Sequence, residues 1–277
     1  MNPIITLTTD FGFDDAYVAV MKGVILSINS RANIIDITHS IKPQNVAQAA
    51  FILSTTYRYF PKKSIHLAIV DPGVGSERRG IILKTPSSLF ITPDNGTLSY
   101  IINELSSNES SSNQYSENPK RVTFKKGVEA VAITEPRFWR RPVSPTFHGR
   151  DIFAPVAAGL SLGISPYEFG EKLTSLYIFP TPRPSFDPQG NLTGHILYID
   201  HFGNLITDIK STDLPQGNVI IEAAGQCIQG VSRYYEEGQR LMAIVSSSGY
   251  LEISLQDGSA CDFLNMEVGD EIKVTLT

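Results

Sequence analysis

The sequence contains little cysteine: only Cys227 and Cys261 occur among its 277 residues. Their spacing fits neither a metal site nor a disulfide framework. Because free cysteine is commonly buried, we predict two unreactive thiols in the core of a protein that works in a reducing cytoplasm.

Long apolar runs and an excess of positive charge are also missing. No apolar run approaches the roughly 18–20 residues that a helix needs to cross a membrane. The N-terminus lacks the basic and apolar segments of a signal peptide. A formal net charge of −5 argues against a basic nucleic-acid-binding face, although it suits a cationic small ligand. We therefore expect a small-molecule partner, with no nucleic acid and no membrane.

Histidines at metal-binding spacing are absent too. His39, His66, His195 and His201 show no His-x-x-x-His pattern and no comparable pairing with acids. We therefore expect no metal in this protein.

What the sequence does contain, in its first 180 residues, is an alternation of strand-like and helix-like apolar spacing. We predict strands at 4–8, 33–38, 64–70, 80–84 and 89–92, and helices at 16–28 and 45–59. This alternation is typical of a layered α/β domain with a mostly parallel sheet. Residues 106–119 are rich in Ser and Asn and predict a surface insertion, because such a tract cannot bury apolar surface.

The last third of the chain follows a different pattern. A proline-dense segment predicts a semi-rigid linker at 181–190. From 191 to 277 only short strands and turns follow, which indicates a small all-β barrel or sandwich. We therefore predict two domains, at 1–180 and 191–277.

Two acids directly follow predicted strands. Asp10 and Asp71 each precede a glycine-containing turn. In open α/β sheets ligands bind outside the carboxyl ends of the strands, and a carboxylate there can accept the hydroxyls of a ribose. The chain has no Gly-x-Gly-x-x-Gly, and the turn after Asp71 lacks the lysine and hydroxyl of a phosphate loop. A nucleoside-like or cationic ligand is therefore favoured over a nucleotide.

Other polar residues near predicted helices allow a structural interpretation as well as a functional one. Asp14 and Asp15 suit the beginning of the first helix, where a carboxylate complements the dipole. His148 lies in a loop before a later helix that Asp151 could cap, and burial there would favour a neutral imidazole. Arg150 suits an ion pair. From these residues alone, a catalytic and a structural His148 both stay open.

A third polar stretch lies in the all-β region. Asp200, Phe202 and Asn204 surround a glycine, which is typical of an ordinary β-turn. The alternative is a purine pocket, in which a ring stacks on Phe202 and hydrogen-bonds to the Asn204 amide. Ser247 lies in a polar turn between strands, and its function is equally open.

Seven stretches taken together resemble a known family. They are residues 8–15, 36–39, 70–75, 92–96, 146–151, 199–204 and 246–251, in that order. They resemble the S-adenosylmethionine hydroxide adenosyltransferase family, which is related to fluorinase and chlorinase enzymes. The resemblance covers essentially the whole chain outside the Ser-rich tract.

The resemblance implies hydrolysis of S-adenosylmethionine to adenosine and methionine, with Asp71, Arg78 and His148 as a catalytic triad. It also implies an α/β domain followed by a β-barrel. Halide transfer is the alternative within the family, but the sequence departs from the halogenase pattern at Asp71, His148 and Gly149. A non-catalytic adenosine- or S-adenosylmethionine-binding protein is the alternative from another class.

The resemblance further implies where substrate binds and how the protein assembles. The substrate-binding residues expected from it are Asp10, Asp14, Asp15, Phe147, Asp200, Phe202, Asn204, Tyr234 and Ser247. We expect the ribose diol at Asp10, adenine at Asn204 and Phe202, and the methionine end at Asp200 and Ser247. The family also implies no cofactor and a homotrimer with its sites at subunit interfaces.

Overall fold

The computed structural model describes residues 4–107, 120–237 and 240–277. The chain divides into two compact units, Met1–Pro180 and Thr181–Thr277. Most of the predicted Ser-rich insertion, from residue 108 to 119, lies outside the described residues.

Strands and helices alternate through the first unit. In chain order they are β1 (Ile4–Thr9), α1 (Tyr17–Ile28), β2 (Asn33–Thr38), α2 (Val46–Thr56), β3 (Ser64–Ile69), β4 (Gly80–Lys84), β5 (Ser88–Pro93), α3 (Ser99–Leu105), β6 (Lys120–Arg121), β7 (Glu129–Ala132), α4 (Ala154–Ser161), β8 (Lys172–Leu173) and β9 (Ser175–Leu176). A π-helical turn, Gly149–Phe153, leads directly into α4. Each of the predicted strands and helices of this half is present, with end shifts of at most a few residues.

Seven of these strands form one sheet in the order β2-β1-β3-β5-β4-β7-β8. The neighbours β2, β1, β3 and β5 are parallel, whereas β4, β7 and β8 extend the sheet with antiparallel pairings. The short strands β6 and β9 pair separately.

The central strand β3 shows why the sheet is covered on both faces. All six of its residues are buried, and side chains of a strand point alternately to opposite faces. Ile65 and Leu67 pack with residues of α1 and α4, whereas Ala68 packs with residues of α2 and α3. Helices therefore cover both faces, as expected for a sheet with a parallel centre.

The second unit is built almost entirely from strands. They are β10 (Ser185–Phe186), β11 (Leu192–Ile199), β12 (Leu205–Lys210), β13 (Val219–Ala223), β14 (Gln226–Gln229), β15 (Leu241–Val245), β16 (Tyr250–Leu255) and β17 (Glu271–Leu276), with one helical turn, α5 (Ala260–Leu264). The antiparallel sheet runs β14-β13-β17-β11-β12-β16-β15, and β10 pairs with β11. Because β14 and β15 approach each other, the sheet is nearly closed and resembles a barrel. The fold class, a layered α/β unit followed by a barrel-like β unit, is confirmed.

Two local expectations differ from what the structure shows. The strand β10 lies within the predicted linker 181–190, so this stretch joins the second unit's sheet. Cys227 is exposed on β14, so the prediction of a core thiol is wrong there; Cys261 is partly buried and donates to the Met266 carbonyl oxygen at 3.2 Å. Within the described part of the chain, no helix is both long enough and apolar enough to cross a membrane.

Candidate active site

The two acids predicted at strand ends leave the sheet at the same edge. Thr9 of β1 is paired with Ile69 of the parallel neighbour β3. Because parallel strands end at a common edge, Asp10 and Asp71 both lie just beyond it. The loop that carries His148 reaches the same place, since it leads into the π-helical turn ahead of α4, and α4 packs against β1 and β3.

Asp71, Arg78 and His148 form a continuous hydrogen-bonded chain. The Arg78 guanidinium donates from Nε to Asp71 Oδ1 at 2.8 Å and from Nη2 to Asp71 Oδ2. Nη2 also lies 2.9 Å from His148 Nδ1. The side chains of Arg78 and Asp71 are only 10% and 6% exposed, so this paired geometry is shielded from water. The ring of Phe153 lies 5.2 Å beneath the guanidinium.

The contact with Arg78 determines the protonation of the His148 ring. A guanidinium has donors only, so His148 Nδ1 must accept the hydrogen bond and the neutral ring carries its proton on Nε2. Burial lowers the pKa of His148, and the positive charge of Arg78 lowers it further, whereas the charges of Asp71 and Asp151 oppose this shift. The neutral imidazole is therefore the form that this site favours.

Asp71 and His148 line a cavity of about 420 Å³. Besides Asp71, four of the predicted site residues lie in its wall: Asp10, Asp15, Phe147 and His148. Asp10 is already held on one side, because its Oδ2 accepts a hydrogen bond of 2.8 Å from the Gln44 backbone N–H. One oxygen of this carboxylate thus has a fixed position at the edge of the cavity.

Asp14 and Asp15 do not cap α1. The N-cap residue is Ala16, and no side chain bonds to the helix N-terminus there, so the capping interpretation is wrong. Both acids are exposed, and Asp15 lines the cavity. Asp151 is likewise not a cap: it is fully buried inside the π-helical turn, where it pairs with Arg150 at 2.7 Å as expected for that arginine.

Sequence reasoning identified Phe147 but missed its aromatic neighbours. Its ring lies 5.9 Å from the ring of Phe11 and 5.2 Å from that of Tyr17, each in an edge-to-face arrangement. Both residues line the cavity. Phe11 directly follows Asp10 in the turn after β1, so its position beside a predicted site residue could have identified it from the sequence.

Gly149 allows the loop of His148 to pack closely. A Cβ at this position would lie 3.2 Å from Met21 Sδ and 3.3 Å from Phe147 Cε2, which is tighter than ordinary contact. Gly149, one of the three positions at which the sequence departs from the halogenase pattern, therefore lies where there is little spare volume.

The remaining predicted substrate-binding residues lie in the second unit. Asp200 accepts from the Phe202 and Asn204 backbone N–H groups and from the Asn204 side chain, each at 2.9 Å. These are the bonds expected of a structural turn. Phe202 and Tyr234 are 73% and 57% exposed, and Ser247 is exposed as well. Their contact with a substrate stays a prediction.

No group of three or more His, Cys, Asp and Glu side chains that could hold a metal ion occurs among the described residues. Arg79, which directly follows Arg78 in the chain, forms an ion pair with Asp94.

Comparison with known proteins agrees with the resemblance seen in the motifs. The model of the SAM hydroxide adenosyltransferase N-terminal domain matches residues 5–170, and that of the C-terminal domain matches residues 194–273. A protein from Methanocaldococcus jannaschii named (R)-S-adenosyl-L-methionine hydrolase is 35% identical over 287 residues, which cover 98% of this chain and 95% of that protein. A protein of the same name from Salinispora arenicola is 32% identical, over 99% of this chain and 98% of its own length.

The fold is also similar to that of solved structures. The crystal structure of an uncharacterized conserved protein from Thermotoga maritima has a TM-score of 0.84 and 31% sequence identity, and covers 98% of this chain and 99% of that one. Proteins named fluorinase are more distant relatives, at 29% identity or lower. Both domain models and full-length relatives above 30% identity agree, and this chain belongs to the SAM hydroxide adenosyltransferase family.

Proposed function

We propose that this protein hydrolyses S-adenosyl-L-methionine to adenosine and L-methionine, and that it acts on the (R) epimer at the sulfonium. The observation that carries the proposal is the chain of hydrogen bonds from Asp71 through Arg78 to His148 at the wall of a cavity. The names of the full-length relatives support the substrate and its epimer.

The reaction needs little acid catalysis. Water attacks C5′ of the adenosyl group, the new C5′–O bond forms as the C5′–S bond breaks, and the bonding electron pair returns to sulfur. Because the sulfonium leaves as a neutral thioether, the leaving group needs no proton. The protein must instead align the water with the C5′–S bond and accept one proton from it. Alignment alone can contribute several kcal/mol, up to about 7–11.

The protonation state of His148 supports an assignment of the group that accepts the proton of the water. Its Nδ1 is occupied by Arg78 and its Nε2 already carries a proton, so the ring donates a hydrogen bond to the oxygen of the water and does not act as the base. Arg78 uses one lone pair on each oxygen of Asp71, which leaves further lone pairs free. Asp71 is therefore the group that accepts the proton, a general-base contribution of typically 10²–10⁴-fold, as an order of magnitude.

The cavity wall supports part of the assignment of substrate binding, and the family resemblance supports the rest. Asp10 accepts the ribose hydroxyls, and Phe147 with its neighbours Phe11 and Tyr17 forms an apolar wall. In the second unit, Asn204 and Phe202 bind adenine. The other residues assigned to the substrate are Asp14, Asp15, Asp200, Tyr234 and Ser247, of which Asp200 and Ser247 bind the methionine end.

The protein further acts as a homotrimer with its sites at subunit interfaces, in the cytoplasm and with neither metal nor cofactor. A cyclic arrangement closes a heterologous contact into a ring, which suits a site shared between copies. Mixing inactive Asp71→Asn protein with inactive Asn204→Ala protein should restore activity once subunits exchange. Monomeric behaviour in light scattering, or no recovery after demonstrated exchange, argues against a shared site.

One incubation separates the candidate functions. The protein is incubated with the (R) and the (S) epimer, with and without chloride, and the products are separated by chromatography. Adenosine and methionine in equal amounts, faster from the (R) epimer and independent of chloride, are expected. A chlorinated nucleoside would identify a halogenase, and tight binding without product would identify a binding protein.

A further inference from the structure

The loop that carries Asp71 and Arg78 is held at both of its ends by one turn. The loop leaves β3 at Val70 and enters β4 at Gly80. At its beginning the Asn95 side-chain amide donates to the Val70 carbonyl oxygen at 2.8 Å. At its end the Asp94 backbone N–H donates to the Arg79 carbonyl oxygen at 2.8 Å, and the Arg79 Nε donates to Asp94 Oδ2 at 2.9 Å. Both anchors belong to the turn 94–97 that follows β5, hereafter the β5 turn.

The β5 turn is itself rigidly held. The Asp94 side chain is 1% exposed, and its Oδ1 accepts from the Tyr177 backbone N–H at 2.9 Å. Asn95 Oδ1 accepts from the Thr97 hydroxyl at 2.7 Å and from the Thr97 backbone N–H at 3.2 Å. Because the donor and the acceptor of the Asn95 amide are both used, its orientation is fixed while it holds Val70.

The anchored residues are the immediate neighbours of the reacting groups. Val70 directly precedes Asp71, and Arg79 directly follows Arg78. A shift at either anchor therefore moves the Asp71 carboxylate or the Arg78 guanidinium. Their hydrogen bonds, 2.8 Å between Arg78 and Asp71 and 2.9 Å between Arg78 and His148, tolerate little displacement. Arg78 joins the two ends of the loop, since it bonds to Asp71, and it also joins the loop to His148.

We propose that Asn95, with the Arg79–Asp94 pair as second anchor, is a positioning residue that sets the geometry of Asp71, Arg78 and His148. Asn95 is not among the residues that line the cavity, and it acts through the Val70 carbonyl. The kinetic part of this inference rests on the proposed hydrolysis, whereas the geometric part does not.

Two variants of Asn95 test it. Asn95→Ala removes the bond to Val70 without adding charge, and Asn95→Asp removes the donor while keeping the acceptor that Thr97 uses. Asn29→Ala is the matched control, because the side-chain amide of Asn29, just after α1, also donates one hydrogen bond, to Ser161 Oγ at 2.9 Å, and takes no part in the bonds that anchor the loop.

The measurements are the NMR titration of the His148 ring and the steady-state kinetics. In Asn95→Ala the pKa of His148 should rise, because the ring loses its fixed contact with Arg78, whose positive charge lowers the pKa in addition to burial. The kcat of both Asn95 variants should fall about ten-fold or more with KM within about two-fold, as expected when reacting groups are misplaced. Asn29→Ala should lose thermal stability but keep the native kcat and the native His148 titration.

The outcomes for the two proposals are distinct. If His148 of Asn95→Ala titrates as in the native protein, the positioning role is overturned, whatever the native protein does to substrate. If the native protein forms no adenosine, hydrolysis is refuted, and the His148 titration still decides the role of Asn95.

Discussion

Adding one methyl group at Gly75 should separate the two loops that form the candidate active site. Gly75 lies in the loop of Asp71 and Arg78, with φ +80°, and a Cβ there would lie 2.4 Å from the Pro145 carbonyl oxygen. Pro145 belongs to the loop of His148. The glycine therefore allows an approach of the two backbones that no other residue permits.

The size of the effect follows from these distances. An ordinary contact begins at 3.4 Å, so in Gly75→Ala the loops must separate by about 1 Å. Added to the 2.9 Å between Arg78 Nη2 and His148 Nδ1, this displacement breaks their hydrogen bond. A misplacement of about 1 Å can reduce a rate about 10²-fold. The positive φ adds a conformational cost of roughly 1–2 kcal/mol to the free energy of folding.

Gly163→Ala is the control that isolates the loop contact. Gly163 has φ +89°, and nothing lies within 4 Å of its ideal Cβ, so this variant carries the conformational cost without the clash. Both variants should lose thermal stability, measured by circular dichroism, but only Gly75→Ala should lose most of its kcat for adenosine formation. Equal kcat values in the two stable variants would refute the argument from loop contact.

Further outcomes are expected from single residues. Asp71→Asn and His148→Ala should each lower kcat with KM little changed, and the double variant should lose far less than the product of the two losses, because the groups act as a unit; independent effects would contradict this. Asp10→Ala should abolish the native preference for the substrate over its 2′-deoxy analogue, in competition assays. Burial lowers the pKa of His66 from 6.5 to about 4, so the free energy of unfolding should fall by roughly 3 kcal/mol as the pH falls from 6.5 to 4. In denaturant titrations, His66→Phe should lack this pH-dependent loss of stability. An equal loss in both proteins would exclude His66 as its source.

Periodicity and composition were enough to predict the layers of the fold. The short apolar runs of β1 and β3, the helical spacing of α1 and α2, and the change to strands after residue 191 each depend on neighbours close in sequence. Asp10 and Asp71 could also be placed at one sheet edge, because each directly follows a predicted strand and parallel strands end at a common edge. The seven ordered motifs were enough to predict the family, which the domain models confirm.

Contacts between distant residues were decided only by the tertiary structure. His148 lies 70 residues from Arg78 in sequence, and the packing of α4 against the sheet brings the two within 2.9 Å. That contact, and no feature of the motif, determines which ring nitrogen of His148 carries the proton. The same holds for Arg79, which pairs with Asp94, and for Asn95, whose bond to Val70 joins two turns 25 residues apart. Local sequence patterns report which face of an element is buried, whereas the partner across that face depends on how separate elements pack.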